Sequence, residues 1–217
     1  MNTKQEFLTV PKTARYHPLG QFSQRTKYIW LVLHGYGQLS SHFINKFQLL
    51  LNDETLIVAP EGLHRFYLNG TNGRVTKEQR EEDIQDYINY LELLLKNITG
   101  NSSESNYHLI ALGFSQGGAT LTRWAAKTVF PISAFVLWAS VFPPDCKPEL
   151  FLRNFRPYFV VGNEDEYLSQ EQIHDFLHSN LELGISLKLL NFQGKHTIPE
   201  QELKKLSEQI KNDSNQM

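Results

Sequence analysis

The sequence predicts an α/β fold: a mostly parallel β-sheet with helices packed on both faces. Short, wholly apolar runs such as "YIWLVL", "TLIVAP" and "LIALGF" suit strands that are covered on both sides. They alternate along the chain with segments whose apolar residues recur at helical intervals, the pattern that places crossover helices between parallel strands. No internal repeat or low-complexity linker interrupts the alternation, so residues 1–217 read as one domain.

The elements follow in order. Residues 6–20, "EFLTVPKTARYHPLG", read as two short strands or a hairpin, and "KYIWLVLHG" is a buried strand cut off at Gly35. "SSHFINKFQLLL" reads as a short helix with Phe43, Phe47, Leu50 and Leu51 on one face, and "TLIVAP" returns to strand. The segment "EGLHRFYLNGTNGRV" is rich in Gly, Asn and aromatics without periodicity, which makes it a loop. Thr76 and Gln79 have capping-box spacing for the next helix, whose Ile84, Tyr87, Ile88, Leu91, Leu94 and Leu95 form one face until "NITGNSSESN" breaks the pattern. Strand "YHLIALGF", helix "QGGATLTRWAAKTVF", strands "AFVLWAS" and "YFVVGN", helix "SQEQIHDFLHSNLEL", strand "SLKLLNF" and a polar helix from about Pro199 complete the chain.

Composition narrows the function classes. With 41% hydrophobic and 20% charged residues and a net charge of −2, the chain has no electrostatic bias toward nucleic acid or anionic membrane. No apolar run approaches the roughly 20 residues of a membrane span. A single cysteine, Cys146, has no internal disulfide partner, and the N-terminus lacks the basic flank and apolar core of a signal peptide. A cytoplasmic location is expected, and the Asn-x-Ser/Thr triplets at Asn69, Asn97, Asn101 and Asn212 are read as chance.

The chemistry concentrates where strand "YHLIALGF" meets the next helix. Gly113-Phe114-Ser115-Gln116-Gly117 is a G-x-S-x-G sequence in the strand-turn-helix context of a nucleophile elbow. A serine there takes strained backbone angles, and side chains at 113 and 117 would collide because strand and helix approach closely. The turn lifts the Ser115 hydroxyl off the sheet at the positive end of a helix.

A serine hydroxyl needs a base to take its proton and a third group to orient that base. His196, in the Gly-containing loop "NFQGKHTIP" after the last strand, is the candidate base. Asp165, in "VVGNEDEYLS" after the penultimate strand, is the candidate acid, with Asp145 in "FPPDC" as runner-up. His174 and His178 stand four apart beside the stripe Ile173, Phe176, Leu177 and Leu181, and are read as a partly exposed helix flank; no metal ligand set is expected. The oxyanion of a tetrahedral intermediate needs backbone donors. The N–H groups of Gln116 and of Tyr36, in "His34-Gly35-Tyr36-Gly37", are the candidates, with His34 shaping the loop.

These same stretches carry a resemblance. "LHGYGQ", "GFSQGGA", "GNEDEYL" and "GKHTIP" resemble, in order from about residue 27 to the end, the signature loops of the carboxylesterase/phospholipase family of small α/β-hydrolases, which includes the acyl-protein thioesterases. The resemblance implies the α/β-hydrolase fold, with nucleophile, acid and base at Ser115, Asp165 and His196 and oxyanion donors at Tyr36 and Gln116. Two stretches depart from the family pattern: Gln38 stands where an acidic residue is frequent, and "NGTNGRVTKEQ" replaces a Trp-containing segment.

The expected function is hydrolysis of small carboxylic esters or thioesters of short to medium acyl groups through an acyl-enzyme, with no cofactor. The alternatives are a non-catalytic α/β-hydrolase-like protein that binds a small ligand, and a peptidase of the same fold. Between "AFVLWAS" and "YFVVGN" the chain is too short for a large cap domain. Phe66, Tyr67, Phe142 and Leu168 are candidates for the wall of a shallow substrate groove.

Overall fold

The computed structural model describes residues 6, 8, 10–63, 77–100, 107–147 and 155–214. Seven strands form one sheet in the order β1-β3-β2-β4-β5-β6-β7: β1 (Tyr16–Leu19), β2 (Tyr28–Leu33), β3 (Thr55–Pro60), β4 (His108–Phe114), β5 (Ile132–Trp138), β6 (Pro157–Gly162) and β7 (Lys188–Phe192). Strand β1 pairs antiparallel with β3, and every other pairing is parallel. The apolar runs behave as their lack of alternation predicts: β3 is buried at every residue, and β4 at all but His108.

Helices α2 (Lys77–Thr99), α3 (Gln116–Ala125) and α4 (Gln170–Glu182) cover one face. Their Leu91, Leu95, Leu121, Trp124 and Ile173 share a core with Leu31, Ala111, Phe135 and Val161 of the strands. The other face is covered by α1 (Ser40–Phe43), the 3-10 turn Ile44–Leu50 and α5 (Glu200–Ser214), which bury Phe43, Phe47, Leu203, Leu206 and Ile210 against Val32, Ile57, Val136 and Val160. The connection from β5 to β6 is only residues 139–156, and no large cap interrupts the fold.

Several boundaries differ from the sequence expectation. Among the described N-terminal residues only one strand forms, β1, in place of two. Residues 40–51 are not one α-helix. After a single α turn the chain tightens, and Ile44, Phe47 and Leu50, spaced by three, stack on one side as a 3-10 repeat requires. Leu51 leaves the apolar face and is exposed. Helix α2 continues through Thr99 and stops at Gly100, whose φ of +71° is the left-handed conformation of a helix C-cap. Helix α3 ends at Ala125 rather than Phe130.

Helix α4 starts at a capping box between Ser169 and Gln172. Its stripe departs from expectation at Leu181, which is exposed, while Asn180 takes the buried position and donates from Nδ2 to the Phe176 carbonyl at 2.6 Å. Thr76 of the expected capping pair lies outside the described residues, as does most of the loop "EGLHRFYLNGTNGRV". No helix among the described residues is long and apolar enough to cross a membrane.

Candidate active site

The carboxyl ends of the six parallel strands β2 to β7 lie along one edge of the sheet, where functional groups of parallel α/β folds collect. Ser115 terminates β4 with φ 53° and ψ −124°, a conformation that costs roughly 1–3 kcal/mol for a residue with a side chain. It persists because both neighbours clamp it. The Ser115 N–H donates to the Trp138 carbonyl of β5 at 2.9 Å, and the Ser115 carbonyl accepts the Gly118 N–H at 2.9 Å.

The flanking glycines are sterically compelled. A Cβ on Gly113 would lie 2.5 Å from the Gly118 Cα, and one on Gly117 would lie 2.4 Å from the Leu33 carbonyl oxygen. Gly118, which the motif does not include, is equally constrained, since its Cβ would lie 2.2 Å from the Ser140 hydroxyl. Ala139, at the end of β5, also has a positive φ of 50°. The two non-glycine residues in this conformation among those described thus end adjacent strands.

Asp165 and His196 come together. Asp165 Oδ2 lies 2.8 Å from His196 Nδ1, and the Asp165 side chain is completely buried while that of His196 is 12% exposed. The other carboxylate oxygen accepts the N–H groups of Tyr167 at 2.9 Å and Leu168 at 3.1 Å, so both oxygens are satisfied. With Oδ2 as acceptor, His196 Nδ1 carries the proton and Nε2 is left to act as a base. The imidazole sits between two rings: Phe114, which immediately precedes Ser115, at 4.9 Å between centroids, and Tyr167 at 4.7 Å.

The loop bearing His196 is held from three sides. Its own N–H donates to Glu166 Oε2 at 3.1 Å, and this bond holds the Glu166 carboxyl below its ordinary range. Trp138 Nε1 donates to the Thr197 carbonyl at 2.9 Å. The Gly194 carbonyl accepts the Glu164 N–H at 2.8 Å and passes so close to Gly162 that a Cβ there would lie 2.2 Å away. Glu166, Trp138 and Gly162 were not legible as site residues, because each acts on the backbone of a loop distant in sequence.

Asp145, the runner-up acid, is committed elsewhere. Its two oxygens accept Arg123 Nε at 2.9 Å and Nη2 at 2.8 Å, a bidentate pair against α3. His174 and His178 are exposed, stack at 6.1 Å, and pair with Asp175 and Glu182 of their own helix. Among the described residues no group of three or more His, Cys, Asp or Glu side chains is placed to hold a metal ion.

The loop after β2 lies against the elbow: a Cβ on Gly35 would stand 3.2 Å from that of Ser115. Gly35 and Gln38 close a turn around Tyr36 and Gly37. The Gln38 N–H donates to the Gly35 carbonyl at 3.3 Å, the Gly35 N–H donates to Gln38 Oε1 at 2.9 Å, and Gly37 supplies the positive φ of +70°. Gln38 thus has a structural part in this chain. His34 shapes the loop, accepting the Gly62 N–H at Nε2 (3.3 Å) and donating from Nδ1 to the Gly35 carbonyl (2.9 Å). Gln116, on the other side, opens α3, where its N–H has no intrahelical acceptor.

Of the candidate groove residues, Phe142 is half-buried against Phe135 and Phe176, and Leu168 is half-buried on the same core. Phe66 and Tyr67 lie outside the described residues. A cleft of about 410 Å3 opens beside the end of β3, lined by Lys12, Thr13, Ala14, Arg15, Glu61, Gly62 and Leu63; none of Ser115, Asp165 and His196 reaches it.

No protein-family model matches the sequence, and no curated protein matches it. Solved structures do. Esterase PE8 superposes with a TM-score of 0.69 at 20% identity over 93% of this chain and 99% of its own. An acyl-protein thioesterase 2 from Zea mays gives 0.65 at 12% identity, over 92% and 99%. A phospholipase/carboxylesterase from Dyadobacter fermentans gives 0.64 at 16% identity, over 93% and 98%. By this likeness the chain has the α/β-hydrolase fold over nearly its whole length, without a large cap.

Proposed function

We propose that the protein is a serine hydrolase of carboxylic esters, with Ser115 as nucleophile, His196 as general base and acid, and Asp165 as the group that orients the imidazole. One observation carries this reading: a fully buried carboxylate bonded to His196 Nδ1, with that imidazole packed on the residue before a strained serine. A binding module has no use for a serine held at this conformational cost or for a buried carboxylate aimed at a histidine.

The proposed chemistry is acyl transfer through Ser115. Ser115 Oγ attacks the ester carbonyl while its proton passes to His196 Nε2, and Asp165 stabilises the imidazolium that forms. The N–H groups of Gln116 and Tyr36 receive the developing oxyanion, a contribution of roughly 3–4 kcal/mol for a donor of this kind. His196 then returns the proton to the leaving alcohol or thiol, and the collapse leaves an acyl-Ser115. A water molecule, deprotonated by His196, attacks this acyl group and regenerates the enzyme.

The esterases and thioesterase of like fold support ester or thioester substrates. The short β5–β6 connection favours small ones: with no large cap to enclose a long chain, the gain of about 0.8 kcal/mol per buried methylene should stop after the first few acyl carbons. The test is incubation with a fluorophosphonate probe, intact mass measurement and peptide mapping. One covalent adduct on Ser115, absent in Ser115→Ala and His196→Ala, supports the reading; an unlabelled protein removes it in favour of a binding role.

A further inference from the structure

The turn that holds Tyr36 is closed upon itself, yet its placement against Ser115 depends on its two ends. Both ends are tied to consecutive residues at the end of β3. At the first, His34 accepts the Gly62 N–H. At the second stands Ser40, fully buried, the first residue of α1. A single oxygen of Glu61, Oε2, accepts the Ser40 N–H at 2.9 Å and its hydroxyl at 2.6 Å. The hydroxyl proton being spent on Glu61, the third member of the chain, His17 of β1, donates from Nδ1 to Ser40 Oγ at 2.9 Å.

Helix α1 needs this help. It has four residues, too few to hold its own first turn, and Leu39 at its N-cap makes no side-chain bond. Glu61 therefore caps α1 from another element, at the cost of burying a carboxylate. Glu61 is in turn fixed through its backbone. Its N–H donates to the Arg15 carbonyl at 2.9 Å, which also accepts the Tyr90 hydroxyl of α2 at 2.6 Å.

We propose that Glu61 is a positioning residue for the oxyanion loop: its carboxylate holds Ser40, and with it the segment 34–40, where the Tyr36 N–H meets the reacting carbonyl oxygen. The proposal rests on the hydrolase reading above. Glu61 touches neither Ser115 nor His196 among the contacts of the site, so its effect must pass through the loop.

The experiment compares wild type with Glu61→Ala, Glu61→Gln and Ser40→Ala. It measures kcat and KM on p-nitrophenyl butyrate, affinity for an alkyl trifluoromethyl ketone whose serine adduct carries an oxyanion, and Tm. Displacing the loop should lower kcat in Glu61→Ala by roughly 10- to 100-fold and weaken the ketone in parallel, with KM little changed. Glu61→Gln keeps an oxygen able to accept both Ser40 bonds and should recover to within about threefold of wild type. Ser40→Ala keeps only the N–H bond, and should fall between them. If Glu61→Ala does not fold, the ordering of the other two variants carries the test. Variants that lose Tm but keep wild-type kcat and ketone affinity in the folded fraction overturn the proposal, leaving Glu61 a purely structural residue. A wild type that takes no fluorophosphonate label removes the hydrolase reading, and the proposal with it; a labelled wild type with unaltered variants removes the proposal alone.

Discussion

The loops that follow β5 and β6 leave neighbouring strands at the same edge of the sheet, and each offers an aspartate within a few residues of its strand. In the β6 loop, backbone N–H groups of Tyr167 and Leu168 take one oxygen of Asp165 and turn the other onto His196. In the β5 loop, Arg123 takes both oxygens of Asp145 and draws the carboxylate toward α3. Burial opposes the charge on Arg123, but its interactions with Asp145 and with the Tyr87 oxygen together outweigh it and raise its pKa. The difference teaches that a carboxylate's partners, and not its place after a strand, decide whether it remains available to a histidine. An acid held by neutral N–H donors keeps its charge free to act on an imidazole; one held by a guanidinium has its charge already neutralised.

The largest expected effect breaks the comparison at its centre. Asp165→Asn should lower kcat by about 10^4, because the amide no longer holds the imidazole in the tautomer that leaves Nε2 free. Asp145→Asn should leave kcat/KM within about threefold of wild type. Steady-state kinetics on a p-nitrophenyl ester decide it, and equal losses in the two variants would undo the assignment of the acid.

A second expected effect concerns the floor beneath the β6 and β7 loops. Gly162→Ala places a methyl 2.2 Å from the Gly194 carbonyl oxygen, backbone that cannot swing aside, so the His196 loop must move. A displacement of about 1 Å can cost roughly 100-fold in rate. Gly37→Ala meets nothing within 4 Å, and its penalty is conformational only, roughly 1–2 kcal/mol for φ of +70°. Kinetics with thermal melts should therefore show Gly162→Ala as the far more damaging to activity, and the reverse ranking would mean that the two loops can shift independently of β6.

How much of this is legible in the sequence differs between the two loops and within each. Ser115, Asp165 and His196 are legible as candidates because each follows a predicted strand end, which the apolar runs locate to within two residues. The choice between Asp165 and Asp145 was only a preference: the carboxylate of Asp145 is captured by Arg123, 22 residues earlier on a helix, and no local pattern shows that helix face. The same holds for Gly162, whose constraint comes from Gly194, and for Glu61, whose partner is Ser40. The 3-10 turn at Ile44–Leu50 escaped because its three-residue spacing fits inside a helical stripe until the last position, Leu51, fails to pack.

The Arg123–Asp145 pair should appear in stability and not in rate. Its side chains are 14% and 30% exposed, buried enough for loss of a charge-assisted pair to cost about 1–3 kcal/mol. At roughly 2–4 °C per kcal/mol for a chain of this size, Asp145→Asn should lower Tm visibly while leaving the fluorophosphonate labelling rate unchanged. A slower labelling rate at equal folded fraction would show that the β5 loop reaches the chemistry after all.

The smallest effect sharpens the contrast on the β6 side, where charge is used on backbone. Glu166 is exposed, and its carboxyl is held below the ordinary value of 4.5 first by the His196 N–H and then by its own N–H. A carboxyl whose folded pKa is depressed gives its full contribution above the unfolded value, and loses it as pH falls through the folded one. The tether on the His196 loop should therefore be complete at neutral pH and fade only in acid below 4.5. Glu166→Gln keeps an acceptor of similar shape but no charge, so at neutral pH the His196 amide should exchange with solvent roughly 2- to 5-fold faster than in wild type. The gap should close as wild type is acidified, once rates are corrected for the intrinsic pH dependence of exchange. Identical protection in both proteins at pH 7 would mean that the bonds from Trp138 and Gly194 suffice to hold the loop, and that Glu166 contributes nothing to the placement of the base.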